Sequence, residues 1–180
     1  MNASAAVIRD ATHADLGAVA AIYAHYVTET VATFEEIPPT DDDWARRLTE
    51  LTGRGLPFLV AEVPEDTGLT VAGYAYAGPW RPKPAYRHTV EDSIYLAPGR
   101  TGAGLGAALL DALLTRCATA GVRQVVAVIA DTGSDASAAL HRRFGFTPAG
   151  RLAGVGRKHG RWIDTHLMQR DLTTGATGAF

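Results

Sequence analysis

One cysteine, a near-zero net charge and the lack of any long apolar run characterise this chain by shortage. Each shortage excludes something. A lone Cys117 allows no internal disulfide, which rules out a disulfide scaffold and makes a reducing cytoplasm the expected compartment. No stretch reaches the roughly 18 apolar residues of a spanning helix, so no membrane partner is expected. The formal net charge of −2 lacks the basic excess of a general nucleic-acid binder. Residues 1–6 carry neither a basic n-region nor an apolar h-region, so no signal peptide is expected. No Gly-Lys-Ser/Thr occurs, which removes a nucleotide-triphosphate P-loop. Asp41, Asp42 and Asp43 have no histidine or further acid beside them; they suit a helix dipole better than a metal.

What is present fits one globular domain: 180 residues, 47% hydrophobic and 20% charged, enough to bury a sizeable core. Residues 6–10 read as a strand, and Thr12 with Asp15 predicts a capped helix over 13–29. Thr40 caps a second helix. Strands over 58–63 and 70–77 flank a turn at 64–68, and residues 89–96 form the next strand. A helix over 104–120 carries Leu105, Leu109, Leu113 and Cys117 on one stripe, which makes Cys117 a buried structural thiol. Residues 124–130 are a continuous apolar strand, 134–144 a short helix, and 147–155 and 162–171 strands around a basic turn. The domain is expected to span 1–172, with 173–180 a frayed tail. The order β-α-α-β-β-β-α-β-α-β-β predicts a mixed α/β domain with a partly antiparallel sheet.

The most informative segment joins the 89–96 strand to the 104–120 helix. Gly102, Gly104 and Gly106 alternate at the helix start, where bare backbone and unpaired N–H groups suit a phosphate. Three readings compete. The glycines form only a turn, or they form a dinucleotide site, or they cradle the pyrophosphate of an acyl-coenzyme A. Residues 102–107 satisfy G-x-G-x-x-A, with Asp131 after the next strand where a ribose-binding acid would stand. Yet residues 97–101 separate this loop from its strand, and about 50 residues after Asp131 are too few for a second βαβαβ half. An NAD(P)-binding oxidoreductase and a non-catalytic acyl-CoA-binding module stand as the alternatives to an acyltransferase.

In this order of elements the loop resembles the GNAT superfamily of acetyltransferases, whose motif is Gln/Arg-x-x-Gly-x-Gly/Ala. Its glycines match Gly104 and Gly106, which puts Thr101 at the Gln/Arg position, with Arg100 one residue early. The segments 74–80 (YAYAGPW), 85–98 (AYRHTVEDSIYLAP), 125–129 (VVAVI), 140–146 (LHRRFGF) and 156–164 (GRKHGRWID) resemble one branch of it. That branch is the phosphinothricin N-acetyltransferases and their methionine-sulfoximine-acetylating relatives. Between Ile129 and Ser137 the chain departs from the branch by one extra residue and by Ser134 in place of Asn.

The resemblance implies a single GNAT-like domain with splayed central strands and flanking helices, acetyl-CoA as coenzyme, an amino-acid-like amine as substrate, and a homodimer. It implies a pyrophosphate cradle at Thr101, Gly102, Ala103, Gly104, Leu105 and Gly106. Tyr95, Leu96, Ile129, Ser134, Ser137 and His141 would line the rest of the coenzyme's path, with the Ile129 backbone pairing pantetheine amides. Glu91 matches the family's proposed general base, and His141 a histidine that holds coenzyme or relays protons. The chemistry agrees, because an alkylammonium must lose a proton before it attacks a thioester. Glu91 shares a strand face with Thr89, Ser93 and Tyr95, whereas Asp92 lies between Val90 and Ile94 on the other face, so the two carboxylates cannot pair. For the substrate, Arg81 or Lys83 would clamp a carboxylate or phosphinate from a stiff loop that also carries Tyr86 and His88. Phe34 matches a family aromatic, and Lys158 lies in the basic turn expected to reach a neighbouring subunit's substrate site.

Overall fold

The computed structural model describes residues 6–66 and 68–173. The N-terminal expectation for 1–5, the tail beyond Thr173 and Thr67 in the first hairpin turn lie outside the described residues. The strands are β1 (Val7–Asp10), β2 (Phe58–Glu65), β3 (Gly68–Pro79), β4 (Thr89–Leu96), β5 (Gln124–Ala130), β6 (Thr147–Lys158) and β7 (Arg161–Asp171). The helices are α1 (Leu16–Glu29), α2 (Asp41–Gly53), α3 (Leu105–Thr119) and α4 (Ala136–Arg143). All seven strands form one sheet in the order β1-β2-β3-β4-β5-β7-β6. Neighbours are antiparallel except β4 and β5, which run parallel.

Helices cover both faces of the sheet. Phe58, Val60 and Tyr74 pack against Val19 and Tyr23 of α1 and Trp44 and Leu48 of α2. On the other face Val90 and Val125 meet Leu105, Leu109, Leu113 and Cys117 of α3. Cys117 is fully buried and burial pushes its thiol up to about 12, which fits its predicted structural role.

Several boundaries differ from the sequence reading. Residues 13–15 wind as a 3-10 turn because the Asp15 carboxylate accepts from the Thr12 N–H at 2.7 Å and is gripped by Arg9 at 2.7 Å. The β2–β3 hairpin pairs as far as Glu65 with Gly68, further than a turn at 64–68 allows. The basic turn is also tighter. Lys158 pairs with Arg161, leaving a two-residue turn of His159 and Gly160, both at positive φ, the geometry that matches strand twist. α4 starts at Ala136, two residues later than expected, because Ser134 Oγ accepts the Ala136 N–H at 3.3 Å in a preceding turn.

The feature that positions the site is where pairing stops. β4 and β5 pair only at Thr89–Gln124, Val90–Val125 and Glu91–Val126. Beyond that point β4 follows β3 to Leu96 and β5 follows β7 to Ala130. The splay leaves backbone N–H and C=O groups of both strands facing a gap.

Candidate active site

The gap opens into a cleft of about 660 Å³ that runs from Glu91 between β4 and β5 to the glycine loop. Gly102 and Gly104 lie at φ 79 and 82, left-handed values that favour glycine, and a Cβ on either would meet nothing within 4 Å. Conformation and open space explain these two. Packing explains the third, because a Cβ on Gly106 would come within 3.3 Å of Leu140 Cδ2, where α4 abuts the first turn of α3. The first intrahelical bond of α3 runs from the Ala108 N–H to the Gly104 carbonyl at 3.0 Å. The N–H groups of Leu105, Gly106 and Ala107 therefore have no helical acceptor and suit an anion.

Glu91 stands at the last paired position, half-buried, opposite Gly78 of β3. A cross-strand glycine leaves room beside the carboxylate. Burial raises the Glu91 pKa, the Asp92 charge raises it further, and Arg81 partly opposes both. A carboxyl with a raised pKa at the head of a cleft is suited to move protons near neutrality.

Asp92 faces the other side and was not among the expected site residues. Its Oδ2 lies 2.9 Å from His141 Nε2, and both side chains are almost wholly buried. His141 Nδ1 lies 2.7 Å from the Ser137 carbonyl. Both nitrogens face acceptors, so the doubly protonated ring satisfies both contacts. Burial works against that charge, but the Asp92 hydrogen bond and charge outweigh it and the His141 pKa is raised. The other Asp92 oxygen, Oδ1, is buried with no hydrogen-bond partner among the described residues. The signal was legible in the sequence: a carboxylate between Val90 and Ile94 on a core face requires a buried partner.

Of the expected coenzyme residues, Tyr95, Leu96, Thr101, Gly102, Gly104, Gly106, Ile129, Ser134, Ser137 and His141 line the cleft. Ala103 is exposed in the loop, and the Leu105 side chain turns into the core. Arg100 is ion-paired with Glu65. Tyr26, Asp92 and Arg143 also line the cleft and were missed, since only folding brings α1 and the end of α4 beside β4.

The expected substrate residues are scattered. Arg81, Lys83, Tyr86 and His88 are exposed on the loop after β3, with Arg81 stacked 4.8 Å from the Trp80 ring. Phe34 packs on Gly156, whose missing Cβ leaves space for the ring. Lys158 requires a correction. It points inward and is 4% exposed, with Nζ donating to the Thr33 carbonyl at 2.8 Å and, more weakly, to the Tyr26 carbonyl at 3.5 Å. It therefore anchors the loop after α1 within its own chain, because the two-residue turn lets β6 run three positions further than expected, to Lys158.

A family model described as an acetyltransferase (GNAT) domain matches residues 8–167. The chain belongs to the GNAT acetyltransferase family. Among relatives of this GNAT chain, phosphinothricin N-acetyltransferase of Alcaligenes faecalis is 49% identical over 171 residues, 95% of this chain and 83% of that one. The L-methionine sulfoximine/L-methionine sulfone acetyltransferase of Pseudomonas paraeruginosa is 43% identical over 170 residues, covering 93% and 95%. A solved GNAT superfamily phosphinothricin acetyltransferase from Sinorhizobium meliloti, in complex with AcCoA, superposes with a TM-score of 0.87. It is 46% identical, over 97% of this chain and 92% of that one. Membership in a GNAT family replaces the dinucleotide reading of the glycine loop. No helix among the described residues is long and apolar enough to cross a membrane.

Proposed function

We propose that this chain is an acetyl-CoA-dependent N-acetyltransferase acting on the α-amine of a small amino-acid-like substrate such as phosphinothricin or methionine sulfoximine. The observation that carries the reading is the end of β4–β5 pairing at Glu91, which sets a raised-pKa carboxyl at one end of a cleft and a glycine loop at the other. The residues present suit acetyl-CoA: open N–H groups at α3 for pyrophosphate, and for pantetheine amides the facing backbone edges of Asp92–Tyr95 and Ala127–Ala130, which do not pair with each other. The coenzyme supplies an activated acetyl thioester.

Glu91 takes the proton of the substrate ammonium, directly or through water, and the space over Gly78 admits the amine. In this reading a backbone N–H of the splayed β5 stretch near Ile129 donates to the reacting carbonyl oxygen. His141 lines the cleft with both nitrogens engaged, and it orders α4 and Asp92 there. Arg81, which is near enough to temper Glu91, serves a substrate anion with Lys83, while Tyr86, His88 and Phe34 form its surroundings. Transfer is direct in this reading, since Cys117 is buried with a raised pKa and is not available as an acyl carrier.

The chain forms a homodimer in this reading. Val128 and Leu152 lie exposed on one face of the β5-β7-β6 end of the sheet, opposite Leu167 and Thr165 of β7, a face suited to a second copy. Sedimentation equilibrium is expected to give twice the chain mass, and Leu152→Glu a monomer; a wild-type monomer at micromolar concentration would remove the dimer. A reducing cytoplasm, the setting for a lone thiol, is checked by fractionating cells that express the chain.

Release of thiol from acetyl-CoA over a panel of amino acids and analogues tests the activity. Turnover is expected with phosphinothricin, methionine sulfoximine or methionine sulfone. Coenzyme binding without turnover on any small amine would leave only a binding module.

A further inference from the structure

We propose that Arg143, at the end of α4, binds a phosphate of coenzyme A. The inference rests on the acetyl-CoA reading above and adds to it a side chain that the sequence did not single out. Coenzyme A is a polyanion, with charge on its pyrophosphate and its 3′-phosphate. The glycine loop offers backbone N–H groups and a helix dipole, equivalent to about half a positive charge.

The cleft's own side chains supply little more. Among the described residues that line it, Glu91 and Asp92 are acidic, His141 faces Asp92, and Arg143 is the one arginine or lysine. Nearby cations are engaged elsewhere: Arg100 with Glu65 and Arg142 with Asp135. Arg143 has no ion-pair or hydrogen-bond partner among the described residues, and its side chain is exposed.

Helix geometry aims it at the loop. Positions 136, 140 and 143 fall on one face of α4, at i, i+4 and i+7. Leu140 on that face touches the first turn of α3 at Gly106. One turn further along, Arg143 borders the same cleft as Thr101 and Gly102. Thr101 is too short and uncharged to neutralise a phosphate, whereas a guanidinium presents a planar fork of donors to phosphate oxygens.

The test is calorimetric binding of coenzyme A to the full chain, with no amine present. Arg143→Gln is expected to raise the Kd about 5- to 50-fold, the loss of one solvent-accessible charge-assisted contact. Arg143→Lys, which keeps the charge but not the fork, is expected to fall between the two. Arg142→Gln, next in sequence but paired with Asp135, is expected to bind as the wild type does. The salt dependence of log Kd should be shallower in Arg143→Gln than in the wild type. Dephospho-coenzyme A separates the two phosphate sources. If the penalty vanishes with it, Arg143 meets the 3′-phosphate; if the penalty persists, it meets the pyrophosphate. An Arg143→Gln Kd within twofold of wild type, with the same salt dependence, would overturn the proposal and leave the acetyl-CoA reading standing. Wild-type protein that failed to bind coenzyme A would overturn both.

Discussion

Glu91→Gln is expected to lower kcat about 10²- to 10⁴-fold, the usual loss when a general base is removed, with coenzyme affinity kept. The amide has the same shape and still reaches the space over Gly78, but it cannot take a proton from an ammonium. The glycine loop lies at the opposite end of the cleft, so the Kd for coenzyme A should not move. Stability should hold or rise slightly. Burial makes the ionised carboxyl unfavourable and raises its pKa, and a neutral amide relieves that penalty.

The pH profile carries the same logic. A raised Glu91 pKa means that the acid limb of wild-type kcat/KM lies above the ordinary 4.5, and the limb disappears in Glu91→Gln. Unchanged turnover at saturating substrates would sink the general-base assignment.

Asp92→Ala is expected to be the most destabilising of the substitutions considered, by roughly 3 kcal/mol, because it strands a buried imidazolium. The value sits at the low end for broken buried pairs because His141 can shed its proton in response. The pH dependence has a definite sign. His141 has a folded pKa above its ordinary 6.5, so the stability it gains from Asp92 is full below 6.5 and is lost as pH rises through the folded value. Urea unfolding should therefore separate wild type from Asp92→Ala more at about pH 6 than at about pH 9. A loss under about 1 kcal/mol with no pH dependence would mean that the pair is not charged in the folded protein.

Much of the architecture was legible because it is local. Period-2 and helical patterns located the seven strands and four α-helices. Errors fell at ends where a side chain competes with the backbone, as at Asp15 and Ser134, or where a turn is tighter than expected, as at His159 and Gly160. The conformation of the glycine loop was legible in Gly102 and Gly104, whose positive φ is a property of the residue type. Gly106 looked like part of the same device, yet its reason is the close approach of Leu140, 34 positions away in the chain. Lys158 was misplaced for a similar reason. A cation near a predicted turn reads as exposed, and only the fold supplies the Thr33 carbonyl that draws it inward.

The sequence by itself determined the order of elements, the glycine loop at the start of α3, the strand that carries Glu91 and the buried fate of Cys117. Periodicity, backbone conformation and residue chemistry act over a few neighbouring positions, and these features need nothing more. Only the tertiary structure decided where β4 and β5 part, that Asp92 meets His141 across 49 positions, and that Arg143 comes to line the cleft. Those depend on how twisted strands and packed helices divide space. A site formed where pairing fails is set by the competing partners on either side, β3 for one strand and β7 for the other.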